Sequence, residues 1–241
     1  MSTTIGNRIF RCIHRPDPQL MAAFRDLPAS NINDEMGRLY CMNSSIVPLN
    51  RVTSMFGTAL TVKAPAGDNL MFHQALDMAQ PGDIIVVDGG GDLNRALAGE
   101  IMMRFASLKG IAGIVADGCL RDLDGIKKLP MPVYAKGITP QGPYKAGPGE
   151  INVPVVCGGQ VVLPGDILVG DADGIVVIRQ QDAPEVLAAA VKKKTSEDKT
   201  FETMNQSVEA YAQKHLNSTA KRMADKNITV FERTYWDTYH L

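Results

Sequence analysis

This 241-residue chain has few cysteines, a single tryptophan and almost no net charge. The four cysteines lie far apart and form no Cys-x-x-Cys pair, which argues against a zinc site and against a fold held by disulfides. We therefore expect reduced thiols at Cys12, Cys41, Cys119 and Cys157. The 25 basic and 26 acidic residues leave a formal charge of −1, so no global field attracts nucleic acid or an anionic membrane.

Long apolar runs and the common catalytic motifs are also missing. No window reaches the length of a membrane span, and residues 1–17 lack the apolar core of a signal peptide. We predict a cytoplasmic protein with no membrane or nucleic-acid partner. The chain lacks a dinucleotide fingerprint, a P-loop, Gly-x-Ser-x-Gly and His-Glu-x-x-His, and its four histidines have no ligand spacing between them: His14, His73, His215 and His240.

The apolar pattern predicts an α/β fold in which mixed β sheets are covered by helices. Short β-branched runs at 57–62 and 83–88 are typical of buried strands, and apolar residues recur at helical spacing over 69–79 and 97–109. Residues 131–178 read as short strands and turns, which fits mixed sheets better than a doubly wound fold.

A short repeat and a change of composition complete this organisation. The pattern Pro-Gly-Asp-Ile-x-Val-x-Asp occurs at 81–88 and again at 164–171, and it predicts a recurrent turn and strand. We expect one catalytic domain over 1–180 and a mostly helical C-terminal extension over 181–241, with helices from 184 to 225. The aromatic tail 231–241, which holds the only tryptophan, should pack on the core or on a neighbouring subunit.

A glycine-rich segment from Asp88 to Glu100 follows a predicted strand and runs into a predicted helix. Its glycines permit positive φ angles and close approach of the backbone to a ligand. A helix beginning near 97–99 would aim free N–H groups at an anion such as a carboxylate. A tight turn without a ligand explains the same residues.

A second informative segment runs from Ile114 to Gly125, where we expect a strand to break at Gly118 and present Arg121 beside Asp122. Arginine offers a fork of donors to a carboxylate or an enolate, and aspartate offers hard oxygen to Mg²⁺ or Mn²⁺. A surface ion pair is the competing interpretation of these two residues. Glu100 is a further acid that suits the water shell of a metal, or simply the start of a helix.

These residues carry a specific resemblance. Glu100, twenty intervening residues, Arg121-Asp122 and Gly125 resemble the acid-x20-Arg-Asp-x2-Gly signature of the class II pyruvate aldolases in the RraA-like, 4-hydroxy-4-methyl-2-oxoglutarate aldolase family. The segments 134–140 and 142–154 are similar to loops of that family, and the resemblance covers roughly residues 27 to 180.

The resemblance implies an RraA-like fold, a swivelling β/β/α domain built as an αββα sandwich. It also implies that substrate contacts the backbone of Gly99, Glu100, Ile101 and Met102, and that Arg121 binds substrate. Asp122 would ligate Mg²⁺ or Mn²⁺, with Glu100 as a partner through water. Family members resemble one another in forming trimers or dimers of trimers with the active site between subunits.

Two features depart from the family pattern. Residue 100 is glutamate where aspartate is common, which adds one methylene of reach. The C-terminal extension is longer than in the shortest members, and an acid in a C-terminal helix can complete a neighbour's metal shell in these aldolases. Glu197 and Asp198 lie in a suitable region, although a solvated helix surface is the favoured interpretation of both.

The predicted function is a divalent-metal-dependent class II aldolase. It would cleave a 4-hydroxy-2-oxo acid, of the 4-hydroxy-4-methyl-2-oxoglutarate or 4-carboxy-4-hydroxy-2-oxoadipate type, to pyruvate and a second oxo acid, with oxaloacetate decarboxylation as a side activity. One alternative is a non-catalytic regulator that binds a protein such as a ribonuclease, and another is a lyase or dehydratase for a different 2-oxo acid. Asp122 favours the enzyme, because a protein-binding regulator does not need a metal carboxylate beside Arg121.

Overall fold

The structure is a computed structural model that describes residues 3–238. Its strands are β1 Asn7–Ile9, β2 Val47–Pro48, β3 Met55–Lys63, β4 Asp83–Asp88, β5 Ala96–Ala98, β6 Gly113–Leu120, β7 Val133–Ile138, β8 Gly149–Ile151, β9 Val155–Cys157, β10 Gln160–Val162, β11 Ile167–Asp171 and β12 Gly174–Ile178. Its helices are α1 Pro18–Phe24, α2 Ala29–Glu35, α3 Leu70–Met78, α4 Glu100–Leu108, α5 Leu123–Ile126, α6 Ala183–Gln206 and α7 Val208–Asp225, with a 3₁₀ helix at Trp236–Thr238.

The main sheet mixes parallel and antiparallel strands, as predicted. Strands β3, β4, β6 and β7 lie side by side and run parallel. Strand β11 pairs antiparallel with both β3 and β12, and β2 closes the other edge antiparallel to β7. The run Ile84–Val87 is apolar at every position because both faces of β4 are covered.

Three apolar clusters define the layers of the fold. One face of the central strands packs under α3 and α4, through side chains such as Val62, Val87 and Phe72. The opposite face packs against β9 to β12, through side chains such as Val86 and Val177. The outer face of β11 and β12 packs under α1, α2 and the start of α6. These helix, sheet, sheet and helix layers confirm the predicted αββα arrangement.

Two predicted details around the glycine-rich segment are wrong. The helix predicted over 97–109 begins at Glu100, because Ala96–Ala98 forms a short strand that pairs parallel with the end of β6. Strand β6 does not break at Gly118 but continues to Leu120. A Cβ at Gly118 would lie 2.9 Å from Leu97 Cδ1, so this glycine lets β5 approach rather than ending the strand.

The C-terminal helices occur where the composition predicted them, with one interruption at Ser207, which caps α7. The chain divides after Lys192 into two compact units, and all three apolar clusters belong to the first. In the second, α7 buries none of its residues, and Phe231, Tyr235 and Trp236 are exposed. Residues 239–241 of the aromatic tail lie outside the described residues, and packing of this tail stays a prediction. No helix within residues 3–238 is both long and apolar enough to cross a bilayer.

Candidate active site

The two segments singled out in the sequence meet at the ends of two adjacent strands. Strand β5 pairs with the end of β6, with Ala98 opposite Leu120. The Arg121 N–H donates to the Ala98 carbonyl oxygen at 3.0 Å, which fixes the residues that follow the two strands beside each other. Gly99, Arg121 and Asp122 therefore come together, although twenty-one residues separate the first two in the chain.

Asp122 holds an unusual backbone conformation. Its φ of 62° and ψ of 44° lie in the left-handed region, which a residue with a side chain adopts only at a cost. Asp122 precedes α5 but does not cap it, and its Oδ2 accepts a hydrogen bond from the Glu100 N–H at 3.1 Å instead. Within residues 3–238, Oδ2 is the oxygen of this carboxylate that contacts the Glu100 N–H and lies near Arg121 Nε, and Oδ1 is the oxygen that a cation could reach.

Gly99 makes room for that carboxylate. A Cβ built on Gly99 would overlap Asp122 Oδ2 and would lie 3.1 Å from Arg121 Nε. The backbone of Gly99 is extended, a conformation that any residue adopts, so the requirement for glycine here is steric. The carboxylate thus rests directly on the backbone that begins α4.

Arg121 has a buried donor without a partner. Its Nε lies 3.6 Å from Asp122 Oδ2, too far for a hydrogen bond, and it makes none with any other described residue. On the other side, a Cβ at Gly142 would lie 2.8 Å from Arg121 Nη1. The guanidinium is thereby held between two backbone segments with a donor left for a ligand.

Glu100 presents its backbone, rather than its carboxylate, to Asp122. Its Oε1 accepts a hydrogen bond from Arg104 Nη2 at 2.6 Å, one turn along α4. The same carboxylate occupies the space that a Cβ on Gly125 would fill, which explains the glycine at the end of the sequence signature. A role for the Glu100 carboxylate in a metal's water shell stays a prediction.

A cavity of about 240 Å³ opens over these residues, and Glu100 is not among those that form its wall. The predicted residues in the wall are Gly99, Ile101, Met102, Arg121 and Asp122. Residues that the sequence analysis did not predict complete it: Asn69, His73, Ala98, Gly142, Pro143 and Lys145. The first turn of α4 contributes free N–H groups here, because the leading amides of a helix have no partner within it.

His73 and Lys145 are two titratable side chains in the cavity wall. Partial burial lowers the pKa of His73 below its ordinary 6.5, and the charge of Lys145 lowers it further, while Asp77 opposes both. This shift favours the neutral imidazole, and the positive charge that contributes to it is that of Lys145. Asn69 and His73 stand four residues apart at the start of α3, a spacing that places both on one helix face.

Asp122 is the residue best suited to hold a divalent metal. Nowhere in the described part of the chain do three His, Cys, Asp or Glu side chains converge into a ligand cluster. Mg²⁺ keeps several waters and binds through one or two carboxylates together with its substrate. Asp122 offers one such carboxylate, in a cavity that the unpartnered Nε of Arg121 also adjoins.

Glu197 and Asp198 make contacts on their own helix. Lys193 Nζ lies 3.8 Å from Glu197 Oε1, and Lys194 Nζ lies 2.8 Å from Asp198 Oδ2, each one turn earlier along α6. A contribution of either acid to a neighbouring active site stays a prediction.

Known proteins match this chain over most of its length. A family model described as "RraA-like: Aldolase/RraA" matches residues 29–177. The chain belongs to the RraA-like family. A relative from Halalkalibacterium halodurans, named "Putative 4-hydroxy-4-methyl-2-oxoglutarate aldolase", is 40% identical over 197 residues, which cover 80% of this chain and 94% of the relative.

Solved structures of other proteins also resemble this chain. A protein of Streptomyces coelicolor, described as an unusual member of the RNase ES inhibitor RraA protein family, aligns with a TM-score of 0.70 and 28% identity over 79% of this RraA-like chain and all of its own. An uncharacterised protein from Pseudomonas syringae aligns with a TM-score of 0.71 and 26% identity over 83% of this chain and 99% of its own. The similar proteins thus include one named as a putative aldolase and one described as an unusual member of a ribonuclease-inhibitor family.

Proposed function

We propose that this RraA-like chain is a divalent-metal-dependent aldolase that cleaves a 4-hydroxy-2-oxo acid to pyruvate and a second oxo acid. Substrates of the 4-hydroxy-4-methyl-2-oxoglutarate or 4-carboxy-4-hydroxy-2-oxoadipate type suit it, and the first of these appears in the name of the relative that is 40% identical. The observation that carries the proposal is the pairing of Asp122 with an unpartnered Arg121 donor in one cavity.

The metal would be Mg²⁺ or Mn²⁺, held by Asp122, with water and substrate completing its coordination. When bound, it supplies Lewis-acid polarisation of the substrate's keto oxygen. Glu100 would take part only through water, because its carboxylate is directed to Arg104.

The residues of the chain bind the substrate and stabilise charge. The first-turn N–H groups of Ile101 and Met102 receive the carboxylate beside the keto group, as backbone donors at a helix start do for anions. Arg121 donates to the oxygen on which negative charge develops. Lys145 and neutral His73 line the part of the cavity that suits the distal carboxylate.

The C4 hydroxyl loses its proton to a water in the site and becomes the carbonyl of the second oxo acid. The C3–C4 bond breaks, its electron pair passes to C3, and the resulting pyruvate enolate takes a proton at C3. Loss of carbon dioxide from oxaloacetate gives the same enolate, so decarboxylation of oxaloacetate should be a side activity.

The test is pyruvate release from 4-hydroxy-4-methyl-2-oxoglutarate and from oxaloacetate, measured with Mg²⁺ or Mn²⁺ and again after EDTA. We expect metal-dependent pyruvate from both substrates, loss of metal stimulation in Asp122→Asn, and about a 100-fold lower turnover in Arg121→Lys. Asp124→Asn changes an exposed carboxylate two residues away and serves as the matched control with near wild-type turnover. Near wild-type activity in Arg121→Lys would contradict the role of Arg121.

The second candidate is a non-catalytic regulator that binds a ribonuclease. The structural likeness to the Streptomyces coelicolor protein favours it, because that protein is described as belonging to a family of ribonuclease inhibitors. Pyruvate from neither substrate, together with inhibition of a purified ribonuclease, would replace the aldolase with this regulator. Pyruvate from a different 2-oxo acid would instead point to a related lyase.

We also propose that the chain forms a homo-oligomer, either a trimer or a hexamer. On α4 the side chains Ile101, Phe105 and Leu108 are 85%, 44% and 82% exposed and follow one another at helical spacing. An apolar stripe of this kind on a surface is typical of an interface. Ile101 also forms part of the cavity wall, so a second copy on this face would lie at the edge of the site.

A further inference from the structure

Asn69 occupies the N-cap position of α3 but does not cap the helix. Asparagine is among the strongest N-cap residues, yet its side chain makes no hydrogen bond to the first turn. The neighbouring Asp68 serves this helix start instead, since its Oδ1 accepts from the Leu70 N–H at 2.9 Å. Its Oδ2 accepts from the N–H groups of Ala146 and Gly147, which ties the loop after β7 to the start of α3. The Asn69 amide is therefore not used to cap α3.

That amide is buried and only weakly satisfied. Asn69 is 1% exposed, and its Nδ2 donates to the Met102 sulfur at 3.4 Å, a weak acceptor. Its Oδ1 has no hydrogen-bond partner among the described residues. A buried carbonyl oxygen without a donor is destabilising, so a ligand group that donates to it removes this cost.

Two of the other buried amides with an unpartnered oxygen hold backbone segments in place, which Asn69 does not. Asn50 Nδ2 donates to the carbonyl oxygens of Leu129 and Met131. Asn152 Nδ2 donates to the carbonyl oxygen of Phe10 at 2.7 Å. In the described part of the chain, Asn69 Oδ1 and Arg121 Nε are the two buried unpartnered atoms whose residues line the cavity, one an acceptor and the other a donor.

The proposed substrate has one group that matches an acceptor. At neutral pH both carboxylates of a 4-hydroxy-2-oxo diacid are ionised and accept hydrogen bonds, and the keto oxygen also accepts. The C4 hydroxyl is the single donor. The donors of the cavity, Arg121, Lys145 and the first turn of α4, suit the oxygens of the substrate, which leaves Asn69 Oδ1 for the hydroxyl.

We propose that Asn69, through its buried and unpartnered Oδ1, accepts a hydrogen bond from the C4 hydroxyl of the bound substrate before that proton passes to water, and so selects a 4-hydroxy-2-oxo acid over a 2-oxo acid that lacks this group. The inference rests on the proposed aldolase function and adds the residue that determines specificity. A site built to pair with a substrate hydroxyl discriminates strongly against analogues without it, because its own polar atom is then left unpaired.

The test compares two substrates in the full-length chain with Mg²⁺. Asn69→Leu keeps the size of the side chain and removes both polar atoms. We expect kcat/KM for 4-hydroxy-4-methyl-2-oxoglutarate to fall at least about tenfold, which corresponds to the loss of one hydrogen bond. Oxaloacetate has no C4 hydroxyl, so its kcat/KM should fall by a smaller factor, and the ratio of the two kcat/KM values should change at least about threefold. Thermal unfolding should occur at the same or a higher temperature, because an unpaired buried oxygen is removed.

Asn50→Leu provides the matched control outside the cavity. It should lower the unfolding temperature, since two backbone carbonyls lose their donor, and it should leave the ratio of the two kcat/KM values unchanged. An equal fall on both substrates in Asn69→Leu would overturn the inference alone, because it would indicate a structural role through Met102 and α3. A wild-type chain that acts on neither substrate would remove the proposed function, and the inference with it.

Discussion

At the scale of single residues, three glycines make room for the charged side chains of the site. Gly99 lies under the Asp122 carboxylate, Gly142 beside the Arg121 guanidinium, and Gly125 beside the Glu100 carboxylate. In each case the space of a missing Cβ is taken by a charged side chain. The glycine of the sequence signature is therefore a requirement for close packing, and the charged residues keep one arrangement because little else fits there.

Gly99→Ala should weaken metal binding without unfolding the chain. The added methyl would overlap Asp122 Oδ2, so the carboxylate must leave the Glu100 N–H. We expect a 10- to 100-fold loss of Mn²⁺ affinity, the size typical of disturbed ligand orientation, measured by electron paramagnetic resonance of free Mn²⁺.

Gly82→Ala is the control for this substitution. A Cβ there would touch nothing, and the φ of 88° costs only backbone strain of about 1 kcal/mol. Its Mn²⁺ affinity should match wild type. Equal losses in the two variants would contradict the argument from the Asp122 carboxylate.

At the scale of elements, the repeated Pro-Gly-Asp-Ile pattern is a turn held by a buried aspartate. Asp83 Oδ2 accepts from the Gln80 N–H, and Asp166 Oδ2 accepts from the Leu163 N–H, in each case three residues back. Each carboxylate also pairs with an arginine, Arg15 for Asp83 and Arg179 for Asp166. Burial raises the pKa of Asp166, against the opposing effects of the Leu163 N–H and Arg179.

Asp83→Asn should lower the free energy of unfolding by about 2 kcal/mol. Arg15 donates two hydrogen bonds to Asp83 at 3.1 and 2.8 Å, and the carboxylate is almost fully buried. Bonds to a charged group contribute roughly 1.5 to 3 kcal/mol, and Arg15 reaches water once its partner is neutral. Urea unfolding measures the loss. Asp26→Asn, at an exposed position, should change stability by less than about 0.5 kcal/mol, and a similar effect in both would refute the role of the turn.

The same elements show what local sequence can and cannot predict. Periodicity and turn residues predicted β4, α3, the short strands after 131 and the paired turns, because those patterns act within a few residues. The partners Arg15 and Arg179 were not predictable, since they lie 68 and 13 residues from their aspartates. The strand β5 was missed because its three residues continue the apolar spacing of α4, and pairing with β6 decides their conformation.

The candidate site likewise contains residues that the local sequence predicted and residues that it did not. Arg121, Asp122 and Gly99 were predicted from adjacent charges and glycines near strand ends. Asn69, His73 and Lys145 were not, because α3 and the loop after β7 reach the cavity only through tertiary packing. His73 was set aside for lack of ligand spacing, although its place in the wall does not require it to bind a metal.

At the scale of the whole molecule, the exposed apolar stripe of α4 bears on assembly. Every described hydrophobic side chain that is fully buried lies at or before Ala190, so the first compact unit contains the core and still leaves this stripe uncovered. Leaving Ile101 and Leu108 in water is unfavourable by about 25 cal/mol for each Å² of apolar surface. A second copy of the chain covers such a surface in a symmetric oligomer without any other partner.

Leu108→Glu should therefore shift the chain to a smaller species in size-exclusion chromatography with light scattering. The new carboxylate would have to be desolvated in an interface across α4, where an 82%-exposed leucine is now available for contact. Leu39→Glu is the matched control, since Leu39 is 71% exposed and lies outside the stripe, and it should retain the wild-type mass. A wild-type chain that is already monomeric, or an equal shift in both variants, would show that this face of α4 does not join subunits. Because Ile101 lines the cavity, the dissociated variant should also lose turnover, with the loss reversed as protein concentration rises.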